Sequence, residues 1–131
     1  MRKVNTTATE DDIDLAKTYF TLLVEVAHRG ETLDYGELMS RATERYHSPT
    51  YRGCDGALQA LRDHTNFLGL ADITSLCVFM GGDKGGHGYH LDSEAHRKFV
   101  YEMVWLDYYC EVQSLLDETR AKLEFGISDK W

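Results

Sequence analysis

The chain has 131 residues, 22 Asp and Glu against 14 Lys and Arg, and 43% apolar side chains, enough for one domain that buries roughly two-thirds of its unfolded surface without disulfides or metal. A formal charge of −8 argues against wide contact with nucleic acid, because phosphate affinity depends on Lys and Arg displacing counterions. Cys54, Cys77 and Cys110 form no CxxC pair and read as reduced thiols of a cytoplasmic protein; the first residues lack the apolar stretch of a secretory signal, and no run approaches the roughly 20 residues of a membrane span.

Over residues 12–29, Ile13, Leu15, Ala16, Tyr19, Phe20, Leu22, Leu23, Val24, Val26 and Ala27 cover most of a helical wheel, which predicts a helix central to the core. Thr9 or Asp11 suits its N-cap, acids crowd the first turn, and Gly30 suits a left-handed C-terminal cap. Residues 31–35 read as a short extended piece and residues 36–43 as a brief second helix with Leu38, Met39 and Ala42 inward. A polar connection over 46–50 holds the single Pro. The next helix is predicted over about 55–67, with Ala57, Leu58, Ala60, Leu61 and Leu68 as its apolar stripe and Gly69 closing it. Residues 73–80 are rich in strand formers, 81–88 are a glycine loop and 89–91 a second strand, which together predict a hairpin. From Ser93 to about Phe125 there is no Pro and no internal Gly, so this stretch reads as helix, straight, bent or broken, with Asp92 or Ser93 and Gly126 as caps.

The order helix, short strand, helix, helix, strand, glycine loop, strand over residues 12–91 resembles a winged-helix domain, and Leu33-Asp34-Tyr35-Gly36-Glu37-Leu38 looks like the strand-to-helix entry of that class. The expected fold is therefore α+β, mainly α: a winged-helix-like core with a β-hairpin wing and a long C-terminal interaction helix over 93–125, in a single domain. The Tyr-Gly-Glu-Leu entry is similar to that of the winged-helix half of alkylguanine alkyltransferase-like proteins, but their Pro-Cys-His-Arg active motif is missing here, so alkyl transfer is not carried over. In winged-helix DNA binders the second helix of the pair enters the major groove and the wing touches the backbone. The resemblance thus implicates Arg52, Gln59, Arg62 and His64, with Lys84 and His87. Charge supports this thinly: between residues 38 and 62, Arg41, Arg45, Arg52 and Arg62 face Glu44 and Asp55.

No catalytic or cofactor signature stands out. The glycine loop lacks the Gly-Lys-Ser/Thr ending of a phosphate-binding loop and precedes a strand instead of a helix. His87 and His90 are three apart on a loop and strand, without the paired spacing of a metal site, so neither metal nor cofactor is expected. Cys54 stands at a predicted helix start, where a thiol is either activated or simply a small buried side chain.

The C-terminal helix carries the functional expectation. At about 100° per residue, Phe99, Met103, Leu106 and Cys110 form one apolar ridge, while Tyr101, Trp105, Tyr108, Val112, Leu115, Leu116 and Leu123 form another. One ridge can cover the core; the aromatic one, Tyr101, Trp105, Tyr108 and Val112, suits a dimer or partner interface. Beside them Asp107, Glu111 and Glu118 make an acidic row that could imitate a phosphate track. The chain is accordingly expected to be a non-enzymatic protein-binding module and a homodimer, a small acidic inhibitor of a nucleic-acid-handling machine of the phage-encoded anti-defence type. The alternative is a winged-helix DNA-binding transcription regulator that dimerises through its C-terminal helix.

Overall fold

A computed structural model of the chain describes residues 2–46, 54–78 and 93–125. Its first helix, α1 (Glu10–His28), is the axis of the core: the apolar positions of its wheel are buried, and α3 (Cys54–Phe67) and α5 (Trp105–Phe125) make its most extensive packing. Thr9 is the N-cap. Its hydroxyl accepts from the Asp12 N–H at 3.2 Å and the Asp12 carboxylate accepts from the Thr9 N–H at 3.0 Å, a reciprocal capping box. At the other end Gly30 takes φ +64°, which lets Glu31 N–H reach back to the Val26 carbonyl and end the helix.

β1 (Leu33–Asp34) leads directly into α2 (Tyr35–Tyr46), where the Asp34 carboxylate accepts from Glu37 N–H at 2.8 Å. α2 buries Leu38 and Ala42, with Met39 partly covered, and runs about one turn beyond the predicted end. In α3 the buried residues Ala57, Ala60, Leu61 and His64 recur at three and four positions, the spacing of one helical face. The helix closes at Gly69, φ +73°, by the same glycine-dependent cap as α1, with Leu70 N–H on the Thr65 carbonyl at 2.9 Å.

One expectation is corrected and an open one is resolved. The strand predicted over 73–80 begins instead as a 3₁₀ turn, Ile73–Leu76, because the Asp72 side chain caps it by accepting from Thr74 N–H at 3.0 Å; only then does β2 (Cys77–Val78) follow. β2 pairs in parallel with β1, Leu33 opposite Cys77 and Asp34 opposite Val78. The long C-terminal helix is two helices, α4 (Ser93–Glu102) and α5, parted at Met103 and Val104. The molecule is thus mainly helical with a small two-stranded parallel sheet. The Pro-containing connection, the glycine loop and the second hairpin strand lie outside the described residues.

The first and third helices touch at Gly56, where a Cβ would stand 2.6 Å from Oδ1 of Asp12 and 2.9 Å from its Cγ. Because that carboxylate is held by the capping box, Gly56→Ala must displace the cap. The expected loss is about 1 kcal/mol in urea unfolding. In an Asp12→Ala background the same change should become neutral or stabilising, since alanine is the better helix residue by about 1 kcal/mol. Equal losses in both backgrounds would contradict this account of the contact.

Candidate functional site

The break between α4 and α5 arises where the largest side chain of the segment has to enter the core. Trp105 is 0% exposed, donates its indole N–H to the Val100 carbonyl at 2.8 Å and meets Phe20 edge-on with ring centroids 6.0 Å apart. Tyr109, one turn on, stacks on Phe20 with ring centroids 5.5 Å apart, and its hydroxyl lies 2.6 Å from that of Thr21. Val112, Leu115, Leu116 and Thr119 continue the inward face of α5.

This phase turns most of the other apolar ridge outward, with Met103 half-buried against the core. Phe99 is 62%, Val104 59% and Leu106 65% exposed, and Cys110 one turn beyond Leu106 is exposed as well. The elbow therefore presents three large apolar side chains within eight positions of sequence, a denser exposure than singly scattered surface leucines. Of the ridge expected to bind, Trp105 and Val112 belong to the chain's own core. Half-buried Tyr101 donates its hydroxyl to the Glu31 carbonyl at 2.7 Å, and burial pushes that phenol above its ordinary value. Tyr108, 36% exposed, is the most open of the four. The aromatic ridge turns inward at Trp105 and Val112 because burial of the large indole gains more than burial of the opposite ridge would.

The acidic row is only partly open. Asp107 and Glu111 are exposed, whereas Glu118 is half-buried and accepts from both Nε and Nη2 of Arg2, the Nε contact at 2.9 Å. Arg2 Nη1 also stands 3.8 Å from Glu111, and Lys122 Nζ donates to the Arg2 carbonyl at 2.7 Å. An N-terminal arm thus lies along the row. The guanidinium hydrogen bond holds the Glu118 carboxyl below its usual range, against a smaller effect of burial.

The residues implicated in DNA contact divide. Gln59 is exposed, and its amide donates to Asp63 at 2.9 Å. Arg62 is tied inward, Nε to Asp72 at 3.0 Å and Nη2 to Thr74 at 3.2 Å. His64 is fully buried between α3 and α5, with Nδ1 2.6 Å from the Ala60 carbonyl and Nε2 2.7 Å from the Thr119 hydroxyl. It sits in register with Ala57 and Leu61, so its place on the apolar stripe was the available signal. Arg52, Lys84 and His87 lie outside the described residues.

Chemical alternatives find little support in the geometry. Burial pushes the Cys54 thiol up, with Asp55 adding to it, and burial likewise raises Cys77, so neither has the character of an activated nucleophile. Among the described residues no group of three or more His, Cys, Asp and Glu could hold a metal ion, and no helix is long and apolar enough to cross a membrane. A shallow cleft open to solvent, lined by Lys17, Thr18, Thr21, Tyr109 and Gln113, marks the polar seam between α1 and α5. No protein-family model matches the chain, nor does any curated protein or solved structure.

Two outcomes follow from the side-chain pairing. Burial holds His64 below the ordinary imidazole value, outweighing the Ala60 carbonyl and Asp63, which act the other way. The unfolded chain therefore takes up this proton more readily. The corresponding stability is complete above the unfolded pKa of about 6.5 and is lost as pH falls below it. Urea midpoints should decline from about pH 8 to about pH 5, and His64→Gln should flatten that decline; an unchanged slope would contradict the assignment. Arg2→Ala should return Glu118 toward its ordinary titration, read by carboxyl NMR, while changing stability by no more than about 1 kcal/mol, as exposed ion pairs do.

Proposed function

We propose that this chain is a non-enzymatic protein-binding module that uses the elbow between α4 and α5 as its contact surface. The observation that carries this reading is the outward projection of Phe99, Val104 and Leu106 around a backbone that is held from beneath by Trp105. Apolar side chains on a fixed backbone lose little further freedom on association, which is the condition for useful affinity from a small patch. The finer reading is a small acidic inhibitor of a nucleic-acid-handling machine, of the anti-defence type encoded by phages. It draws on the net charge of −8, which would speed encounter with a basic target, and on the acids beside the elbow.

A winged-helix-like core is supported by the order α1, β1, α2, α3, β2, the helix-strand-helix-helix-strand succession of that class. Here it serves as a scaffold. A DNA-binding use is less favoured, because His64 is inside the protein and Arg62 is engaged by Asp72 and Thr74. Homodimerisation through the C-terminal segment would have to use the Leu106 side of α5, since Trp105 and Val112 are already buried within one chain.

Affinity capture from cell extract with the wild-type chain and with Leu106→Asp tests the reading. The variant should fold, since exposed substitutions usually shift stability by about 0.5 kcal/mol or less. The wild type should retain a discrete protein that Leu106→Asp does not. Identical retention by both chains, or retention of nuclease-sensitive nucleic acid in place of protein, would contradict the proposal.

A further inference from the structure

The chemistry of the elbow narrows the partner. Phe99 lies on the last full turn of α4, Val104 at the break and Leu106 on the first turn of α5, so the three surround one corner. That corner is braced from several directions. His96 Nε2 accepts from Asp72 N–H at 2.9 Å while its ring lies 6.3 Å from that of Phe99, and the Met103 sulfur accepts from Ala71 N–H at 3.4 Å. The exposed apolar groups are thus displayed by a backbone pinned to the α3-to-β2 connection.

Charge around the corner is negative on balance. From residue 98 to residue 111, Lys98 is the one cation against Glu102, Asp107 and Glu111. Glu111 has Arg2 at 3.8 Å, whereas among the described residues Glu102 and Asp107 form no ion pair, and both are exposed. Leu106 and Asp107 are neighbours on the outer side of α5, and Glu102 is one turn after Phe99 on α4. Apolar anchors beside two unpaired carboxylates, with Lys98 the one opposing charge in the segment, disfavour a second acidic copy and an anionic bilayer and favour cations.

We infer that the elbow docks an apolar protein segment flanked by Lys or Arg side chains, its apolar residues meeting Phe99, Val104 and Leu106 and its cations meeting Glu102 and Asp107. This rests on the protein-binding reading above and specifies the partner's chemistry. The apolar contact holds the segment; the acids select its sign and orient it.

The test uses a labelled amphipathic helical peptide built of Leu and Lys, with a matched Leu and Glu peptide, against the full chain in fluorescence anisotropy. The Leu and Lys peptide should bind, and raising salt should weaken it. Leu106→Asp should weaken it about tenfold, although that change adds a charge that diffuse attraction would favour. Glu102→Lys with Asp107→Lys should weaken it comparably, and circular dichroism should show the helices intact. Tighter binding by Leu106→Asp would overturn the inference, showing attraction without docking. Equal binding of the Leu and Glu peptide would overturn the charge selection while leaving the protein-binding reading in place. Binding of neither peptide would overturn the partner chemistry, and the capture comparison would still judge the broader reading separately. A dimer in light scattering that Leu106→Asp abolishes would show a second copy at the elbow and would also overturn it.

Discussion

Burial of the Trp105 indole is the constraint on which the rest of this architecture depends. In a continuous helix the Val100 carbonyl would accept from Val104 N–H. Here it accepts from Met103 N–H at 3.3 Å and from the Trp105 indole at 2.8 Å, so the helix ends and restarts about its own tryptophan. The indole gains a partner for its N–H and an aromatic neighbour in Phe20, and burial of so large a ring is worth several kcal/mol. Everything distal follows from that rotation. α5 turns Val112, Leu115 and Leu116 onto α1, and the residues on either side of the tryptophan have nowhere to go except outward.

Local chemistry was legible where neighbouring residues decide it. The Thr9 cap, the glycine endings of α1 and α3, and the all-round apolar wheel of α1 depend on residues within one turn of each other, and the structure agrees with the sequence at each. The stretch from Ile73 to Val78 was harder, because a short apolar run has the same pattern whether it is a buried strand or a buried 3₁₀ turn. Asp72 decides between them by capping the turn. The elbow left no Pro or Gly as a marker. What the sequence did contain was a pair of apolar ridges that one straight helix could not bury together, and choosing between them required knowing that Phe20 waits across the core for an aromatic partner. His64 shows the same limit: its register with Ala57 and Leu61 pointed inward, but its polar partner, the Thr119 hydroxyl, is 55 positions away and left no local mark.

The acidity that dominates the composition is spent unevenly. Along the seam of α1 and α5, Arg120 pairs with Asp14 at 3.0 Å, Lys17 with Asp117, and Arg2 with Glu118, so much of the negative charge there is neutralised within the chain. Exposed pairs of this kind add little stability singly. Their larger effect is to leave the field of the molecule concentrated elsewhere, and Glu102 and Asp107 at the elbow are among the acids without such a partner in the described residues. Apolar exposure and unpaired charge therefore coincide at one corner, and the proposed docking draws its selectivity from that combination.

Tryptophan fluorescence tests this account at its root. In a Trp131→Phe chain Trp105 is the sole indole, and a residue buried against Phe20 should emit at short wavelength and resist acrylamide in the native protein, then shift to the red and become freely quenched on unfolding. Native emission at long wavelength with free quenching would place Trp105 in solvent, and both the elbow and the outward ridge that depends on it would fall.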